Sequence, residues 1–450
     1  MAKLSPAKLF IVLTLTPTTA LRLAVTGAAG YLGAEIACLA AEQGHQVRAV
    51  VKHGQAVAHL SGCSEVLEVD DLCDGAVVRD VCDGVDAVLH AASVFRRCDD
   101  METELVQPNI ELAEQMVCGC ASANARLVLT SSMAAVRGSG QEPKVGASYT
   151  TYDWNTVSSR DGPGFEPYQF SKAESERRAW DLSQRLGVEM VSVCPSMIFG
   201  PPRGGCVGFS VAMVQSWLDG NGPVQSRLVV DVRDCAQAHI AAAAIPSAAG
   251  KRFIASCEAR VPAGETADAL RARLRAVGRA DAADRITADT DFDGGAIPIG
   301  AREVAATKGM AQLGVICRPV DTTLADMAEA LTGGMAAAEV DVDARDAAGE
   351  TELIRAAEAG DAARVAALLA AGASPTARSY SGWTALHGAA ESANAAALDV
   401  LTALAAAGAD VSAKAASGKT PLDIARQYER PANVCALEKL GAAGAANVSA

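Results

Sequence analysis

The sequence predicts an α/β domain built on a doubly wound parallel sheet, with a smaller lobe at its C-terminal end, followed by an all-α repeat domain. Two observations carry this prediction. Short apolar strands alternate with helix-length segments from position 21 to about 125, and past about 340 an alanine-rich sequence is punctuated at regular intervals. Alternation of the first kind is typical of a parallel sheet with helices on both faces. With 450 residues, the chain is long enough for two or three domains.

The strands of the first domain are predicted from short, mostly apolar runs. They span 23–26, 47–51, 66–69, 87–90, 126–130 and 189–193. Between them, segments such as 32–43 and 170–186 carry apolar residues at helical spacing. We assign 21–335 to this domain and 336–345 to a linker.

The C-terminal segment contains a Gly-x-Thr triplet three times, at 349–351, 382–384 and 418–420. A leucine follows each threonine by two residues, and the first two units both end in Ala-Ala-Gly-Ala. A period near 33 residues with a start like Thr384-Ala385-Leu386-His387 resembles ankyrin repeats, which are helix pairs that present a binding surface for proteins. We therefore expect about three repeats over 346–443. The alternative is a low-complexity alanine helix.

Charge and cysteine usage exclude some functions. The formal net charge of −14 argues against a general affinity for nucleic acid or anionic membranes. The 13 cysteines are odd in number and contain no pair of CxxC motifs, which favours free thiols over disulfides or a zinc site. No bound metal is expected.

Residues 1–20 are open to two interpretations. Lys3 and Lys8 precede the apolar run 9–13, and Thr18-Thr19-Ala20 would make a tolerable cleavage site, as in a signal peptide. The alternative is an ordinary N-terminal extension, because the run is too short to span a bilayer. We expect no transmembrane segment and a cytoplasmic protein, or one of the secretory pathway or an organelle if 1–20 are a cleaved targeting peptide.

A glycine-rich turn predicts a dinucleotide site. Gly27, Gly30 and Gly33 follow the first strand, which ends at Thr26, and Tyr31 and Leu32 open the first helix. We assign all six residues to the cofactor site. Glycine permits the tight turn and lets the backbone approach a pyrophosphate, whose charge then faces the positive end of the helix. A glycine triplet alone is a weak signal, but this one sits within a strand–turn–helix unit.

The end of the second strand bears on the choice of cofactor. An acid there would bind the adenosine ribose and favour NAD, whereas this chain has Lys52, which can pair with a 2′-phosphate. NADP(H) is therefore preferred and NAD(H) remains possible. The alternative is that Lys52 is a solvated strand end. Further contacts are predicted after the third and fourth strands, from Asp71, Leu72, Ala91 and Ala92.

Tyr168 is the only one of six tyrosines with a lysine four residues later, at Lys172. On a helix this spacing places both side chains on one face. A neighbouring ammonium would bring the pKa of the phenol toward the working range of an acid–base group. Both residues are also assigned to the cofactor site, where Lys172 can hold the nicotinamide ribose. Ser132 follows the strand 126–130, and its hydroxyl is a candidate to bind a substrate oxygen.

Together these motifs are similar to those of the extended short-chain dehydrogenases/reductases with a Rossmann fold. The resemblance rests on Thr26-Gly27-x-x-Gly30-x-x-Gly33, Thr130-Ser131-Ser132 and Tyr168-x-x-Ser171-Lys172, and it covers about 310 residues. Asp153-Trp154-Asn155, the run 194–201 and the run 231–239 resemble the dihydroflavonol reductase and cinnamoyl-CoA reductase branch.

The resemblance implies that a hydride passes from NADPH to a ketone or aldehyde carbon while Tyr168 protonates the oxygen. Ser132, rather than Ser131, matches the substrate-orienting serine, and Pro195 and Ser196 would line the nicotinamide end. Asn109 falls in the helix that usually carries an asparagine, but the residues after it depart from the family pattern. His90 and His239 are expected to be structural.

Two other functions stay open. A nucleotide-sugar epimerase or sterol dehydrogenase would share the same three catalytic residues and mostly use NAD. An adaptor of another class would sense NADPH through the first domain and bind a protein partner through its repeats without turnover.

Overall fold

The structure is a computed structural model that describes residues 20–95, 100–146, 148–290, 304–333, 349–370 and 372–447, together with position 343. Its strands are β1 Arg22–Thr26, β2 Gln46–Lys52, β3 Glu65–Val69, β4 Ala87–His90, β5 Arg126–Thr130, β6 Met190–Pro195, β7 Met197–Phe199, β8 Val229–Asp231 and β9 Arg252–Ala255. The helices of the first domain are α1 Tyr31–Glu42, α2 Gly75–Cys82, α3 Gln107–Ala123, α4 Met133–Val136, α5 Glu166–Leu186, α6 Phe209–Leu218, α7 Val232–Ala244, α8 Ala263–Ala276, α9 Ala280–Arg285, α10 Thr307–Gln312 and α11 Val320–Gly333. The repeats contain α12 Glu352–Ala359, α13 Ala362–Ala370, α14 Ala385–Glu391, α15 Ala397–Ala406, α16 Pro421–Gln427 and α17 Pro431–Asn447.

The main sheet has seven strands in the order β3-β2-β1-β4-β5-β6-β9, and every pairing is parallel. The strand order reverses at β1, because β2 and β3 lie on one side of it and β4 lies on the other. In doubly wound sheets the carboxyl ends of the strands at such a point form the ligand-binding crevice. The predicted fold class is therefore confirmed, with β9 as a strand that the sequence patterns did not indicate.

Helices cover both faces of the sheet, because its central strands are apolar on both sides. On one face α1 and α7 pack against β1, β2 and β4, and this core extends to α8, α10 and α11. On the other face α2, α3 and α5 enclose a second core that contains Val78, Met116 and Ala179. Next to the edge of the large sheet, β7 and β8 form a two-stranded parallel sheet of their own.

The C-terminal helices form a separate apolar core, which includes Leu353, Leu386 and Ile424. The threonine of each Gly-x-Thr triplet is the N-cap of a helix: Thr351 caps α12, Thr384 caps α14 and Thr420 caps α16. A threonine hydroxyl at this position accepts a hydrogen bond from a first-turn amide that would otherwise lack a partner. The repeated triplet is thus a helix-start signal.

Some predictions fall outside the described part of the chain. Residues 1–19 and, apart from position 343, the linker assigned to 336–345 belong to this group, so the domain boundaries stay predictions. Twelve cysteines are described, all as free thiols, and Cys98 lies outside the described residues. None of the described helices has the length and hydropathy that a membrane span needs. The described histidines, cysteines and acids include no cluster suited to a metal ion.

Candidate functional site

A cavity of about 600 Å³ runs along the carboxyl ends of β1 to β6. It receives side chains or backbone from every predicted site position except Thr26: Gly27, Gly30, Tyr31, Leu32, Gly33, Lys52, Asp71, Leu72, Ala91, Ala92, Ser132, Tyr168, Lys172, Pro195 and Ser196. The structure thus brings the two separate sequence motifs, the glycine turn and the Tyr–Lys pair, to one cavity.

The glycine turn is built so that no side chain would fit. Gly27 has a φ of +70°, and a Cβ there would lie 2.9 Å from the amide nitrogen of Ala92. A Cβ on Gly33 would lie 2.0 Å from the carbonyl oxygen of Gly27. The first amides of α1 have no acceptor within the helix, and the helix dipole favours an anion at this end. This cradle fits a dinucleotide pyrophosphate.

Two of the predicted cofactor positions also serve the fold. Thr26 is fully buried; its hydroxyl lies 2.7 Å from Nδ1 of His90 and accepts a hydrogen bond from the amide of Ala92 at 3.3 Å. Tyr31 lines the cavity but donates its hydroxyl to the carbonyl of Gly200 at 2.6 Å. Any contact of Thr26 or Tyr31 with a cofactor would therefore come from the backbone or the ring rather than from a free hydroxyl.

Lys52 lies at the exposed end of β2, at the far end of the cavity from Tyr168. Its backbone amide donates to Oε1 of Gln55 at 2.8 Å, and its side-chain Nζ lies 4.7 Å from the ring centroid of Tyr380 in the repeat domain. Arg48, four residues earlier on β2, pairs instead with Glu65 at 2.7 Å. Among the charged side chains of β2, Lys52 alone faces this cavity.

Tyr168 and Lys172 lie one turn apart on α5, and Ser132 is the N-cap of α4 directly after β5. The hydroxyl of Tyr168 shares a hydrogen bond with the side chain of Ser132. Lys172 is buried and donates from Nζ to the carbonyl oxygen of Thr130 at 2.9 Å. The three residues thus meet where the carboxyl end of β5 faces α5.

The protonation of this group differs from the sequence-based expectation. Burial raises the pKa of Tyr168 to about 12, and the hydrogen bond from Ser132 only partly opposes it. Burial lowers the pKa of Lys172 to about 8, while Glu176 and Cys194 act in the opposite direction. The expectation that Lys172 lowers the pKa of Tyr168 is wrong for this arrangement, because the ammonium is directed at Thr130. At neutral pH the phenol keeps its proton.

Phe95, Phe165 and Phe209, which the sequence patterns did not indicate, gather around Tyr168. The ring of Phe95 lies 4.4 Å from that of Tyr168 and 5.0 Å from that of Phe209. Phe209 lines the cavity and is 46% exposed, and Phe165, which is 54% exposed, packs against it with ring centroids 6.0 Å apart. No spacing along the chain links these phenylalanines, since they come from three separate segments.

Arginines line the same end of the cavity, at positions 137, 227 and 260. Burial lowers the pKa of Arg137 and that of Arg227. Arg137 lies over the ring of Tyr149 at 5.6 Å, and Arg227 donates to the carbonyl of Ser226 at 3.0 Å. Within the described part of the chain, neither of these two guanidinium groups forms an ion pair with a carboxylate. A buried cation without an anionic partner is costly.

The motif Asp153-Trp154-Asn155 supports the site without lining it. Asn155 donates from Nδ2 to the carbonyl of Ala134 at 2.8 Å, which holds the first turn of α4 behind Ser132. Asp153 accepts from the amide of Thr150 at 2.7 Å. The ring of Trp154 packs under the guanidinium of Arg252 at 3.8 Å. Through Asn155, the motif therefore stabilises the segment that carries Ser132.

Asn109, His90 and His239 are engaged within the fold. Asn109 donates to the carbonyl of Val94 at 2.9 Å and accepts from its amide at 2.7 Å, so it fixes the loop after β4 rather than reaching into the site. His239 lies 2.9 Å from Oγ1 of Thr130 and 2.7 Å from the carbonyl oxygen of Cys235. Burial lowers the pKa of His90 to about 3 and that of His239 to about 4.

Comparison with known proteins agrees with this fold. The model of the NAD dependent epimerase/dehydratase family matches residues 23–254, and that of ankyrin repeats, in three copies, matches 323–415. The ankyrin match begins within α11, which packs in the core of the first domain.

Two plant reductases are among the similar sequences. The chain is 30% identical over 259 residues to cinnamoyl-CoA reductase 2 of Arabidopsis thaliana, covering 55% of this chain and 75% of that protein. It is 29% identical over 191 residues to dihydroflavonol 4-reductase of the same plant, covering 39% and 49%. Of solved structures, a yeast methylglyoxal/isovaleraldehyde reductase complexed with NADPH shares the fold, with a TM-score of 0.60 and 23% identity over 69% of this chain and 98% of that one.

Proposed function

Because the chain belongs to the NAD-dependent epimerase/dehydratase family, we propose that its first domain reduces a ketone or aldehyde with NADPH, with Tyr168 as the proton donor. The chain is an NAD(P)-dependent oxidoreductase that carries ankyrin repeats. The observation that carries the finer proposal is the pairing of Tyr168 with Ser132 in the cavity that begins at the glycine turn.

The proposed reaction combines a hydride from the cofactor with a proton from Tyr168. When bound, the reduced nicotinamide supplies a hydride to the carbonyl carbon. Tyr168 passes its phenolic proton to the carbonyl oxygen as negative charge develops there, which gives an alcohol, and it then regains a proton from solvent. A pKa of about 12 keeps this proton in place at neutral pH, as a reductive step requires. Ser132 orients the oxygen, and Lys172, which lines the same cavity, would hold the nicotinamide ribose.

The preference for NADPH rests on Lys52. Lys52 carries the only side-chain charge of β2 that faces the cavity, and in this type of fold the adenosine ribose binds near the end of the second strand. Lys52→Ala should therefore weaken NADPH binding and leave NADH binding nearly unchanged.

The walls of the substrate end indicate the class of carbonyl compound. The rings of Phe95 and Phe209 offer an apolar surface to a substrate. The same cavity is lined by the guanidinium groups of Arg137 and Arg227, which are largely removed from water. A bound anion would offset the cost of burying these guanidinium groups, since charged hydrogen bonds to arginine are strong. We therefore propose an aromatic or otherwise hydrophobic ketone or aldehyde that bears an anionic group.

The proposal is tested by following NADPH absorbance with the full chain and a panel of carbonyl compounds. Tyr168→Phe should abolish turnover and leave the Kd for NADPH unchanged, because the ring remains and only the proton donor is lost. Tyr152→Phe is the matched control, since Tyr152 is 84% exposed, and it should retain full activity. Turnover by the Tyr168→Phe variant would overturn the assignment of the proton donor.

The same samples separate the alternatives. An epimerase would retain NAD⁺ through purification and return it unconsumed after each turnover. An adaptor would bind NADPH and a protein partner of the ankyrin repeats, yet oxidise NADPH with no carbonyl compound. We expect the ankyrin repeats to bind a protein partner and so to localise an active reductase.

A further inference from the structure

The ankyrin repeats lie against the reductase domain at two separate points. Asn221, in the loop after α6, donates from Nδ2 to Oδ2 of Asp361 at 2.9 Å, just before α13. At the end of the cavity that is proposed to bind the cofactor, Nζ of Lys52 lies 4.7 Å from the ring centroid of Tyr380. One contact is at the end of β2 and the other is in the loop after α6, so the repeats touch the first domain at more than one place.

Tyr380 is part of the wall of the cofactor cavity. It lies in the turn between α13 and α14 and lines the same cavity as the glycine cradle and Lys52. Its ring packs directly on the backbone of Gly349, in the corresponding turn of the preceding repeat, because a Cβ on Gly349 would lie 2.7 Å from the ring. The position of the ring is therefore fixed by the repeat stack rather than by the reductase domain.

From this geometry we propose that Tyr380 positions Lys52, and that the ankyrin repeats thereby complete the site for the 2′-phosphorylated adenosine of NADPH. The inference rests on the proposed cofactor function of Lys52. A cation within about 6 Å of a ring centroid is attracted to the face of the ring. The tyrosine thus holds the Lys52 ammonium near the cavity and leaves its full charge for a phosphate, which a carboxylate in the same place would neutralise.

The energetic role of Tyr380 is preorganisation. A lysine ammonium is a point charge on a flexible four-carbon stem, and ordering that stem costs conformational entropy when a phosphate binds. A side chain that is already ordered by an aromatic ring loses less entropy on binding. The benefit applies to NADPH, which carries the 2′-phosphate, and much less to NADH. Tyr380 should therefore contribute to cofactor discrimination as well as to affinity.

The test measures the Kd of NADPH and of NADH for the full chain by fluorescence titration, with no carbonyl compound present. Tyr380→Ala should raise the Kd of NADPH by about threefold to tenfold, as the loss of a cation–π contact implies, with a much smaller change for NADH. Tyr380→Phe keeps the ring and should bind like the wild type. In a Lys52→Ala background, Tyr380→Ala should have little further effect, since the two residues act as a pair.

A variant that merely loosens the repeats is distinguished by a control and a second measurement. Leu398→Ala truncates an exposed apolar side chain on α15 and should leave both constants unchanged. In the wild-type chain, NADPH should slow amide hydrogen exchange in the turn 379–383 more than NADH does. This measurement needs no substitution, so it decides the matter even if Tyr380→Ala unfolds the repeats.

Several outcomes would overturn the inference. An unchanged or lower Kd of NADPH in Tyr380→Ala, or equal losses for NADPH and NADH, would exclude a role in binding the phosphate. Absence of NADPH-dependent protection at 379–383 would do the same. If the wild type binds NADPH and only these results fail, the proposed reductase function stands and the role of Tyr380 falls. If the wild type binds neither dinucleotide, both fall together.

Discussion

Glu176 and Arg252 form a buried, bidentate ion pair next to the proposed catalytic residues. Nε and Nη2 of Arg252 lie 2.7 and 2.9 Å from the two carboxylate oxygens of Glu176, and both side chains are almost fully inaccessible. Glu176 stands one helical turn beyond Lys172 on α5, and it also accepts a hydrogen bond from Ser131 at 2.6 Å. The pair links α5 and β9 to the strand end that carries Ser132.

Glu176→Gln should both destabilise the protein and alter Lys172. Removing one partner of a buried ion pair leaves an uncompensated charge, which costs about 3–5 kcal/mol of unfolding free energy. The negative charge of Glu176 also raises the pKa of Lys172, so its loss should move that pKa below about 8. Denaturant unfolding and the pH profile measure the two effects. Glu174→Gln, on the same helix but in a more exposed pair with Arg178, should change neither by much.

The pH dependence of catalysis should report Lys172. Its burial lowers the pKa to about 8, so the ammonium is present below that pH and is lost as the pH rises through it. We expect kcat/KM for NADPH to be flat near neutrality and to fall above about pH 8, while Tyr168, with a pKa near 12, keeps its proton. A profile that stays flat to pH 10 would contradict a role for the Lys172 charge, whereas a Glu176→Gln profile shifted to lower pH would support it.

Local sequence signals predicted much of the fold and part of the candidate site. The glycine turn between β1 and α1 is a contiguous strand–turn–helix unit, so its geometry follows from a few adjacent residues. Tyr168 and Lys172 share one face of α5 because they are four residues apart on one helix. The N-cap threonines of the repeats are also local signals, since a cap depends on the residues within one turn of it.

Other parts of the site depend on tertiary structure and leave no pattern in the sequence. Glu176 and Arg252 are 76 positions apart and meet only because β6 pairs with β9. Tyr380 reaches the cavity only because the repeats fold back onto the first domain. The protonation of Tyr168 was wrongly predicted from spacing alone. Helical spacing shows that two side chains share a face, but it gives neither their burial nor where the ammonium points.

Acidification should destabilise the protein through its buried histidines. His239 is fully buried and neutral, with a pKa lowered to about 4, whereas in the unfolded chain it would titrate near its usual 6.5. The unfolded state therefore binds more protons between these values, and unfolding free energy should fall by about 1.4 kcal/mol per pH unit for each such histidine. Thermal unfolding measured from pH 7.5 down to about pH 5 gives the slope, because this range covers much of the window between the two pKa values.

His239→Gln provides the comparison for that slope. Glutamine retains a polar group near Thr130 and Cys235 but does not titrate, so the variant should be less stable at neutral pH and lose less stability on acidification. His90 remains in the variant and has its own pKa lowered to about 3, so part of the slope should persist. Identical slopes for the variant and the wild type would exclude His239 as a source of the acid sensitivity.

Arg137 should distinguish anionic from neutral carbonyl substrates. Its guanidinium lines the substrate end of the cavity, and burial lowers its pKa, so a carboxylate on the substrate would gain a charged hydrogen bond there. Such bonds contribute about 1.5–3 kcal/mol. Arg137→Gln should therefore reduce kcat/KM for 4-carboxybenzaldehyde by about tenfold to a hundredfold. The same change should affect unsubstituted benzaldehyde much less.

The matched control for this prediction is Arg185→Gln. Arg185 is an exposed arginine near the end of α5, in an i,i+4 pair with Asp181, and its loss removes the same charge from the protein without touching the cavity. It should leave the ratio of the two kcat/KM values unchanged. Equal losses for both aldehydes in Arg137→Gln would mean that Arg137 supports the fold of the pocket, through its contact with Tyr149, rather than recognising an anion. A selective loss for the carboxylated aldehyde requires the guanidinium to meet the substrate charge directly.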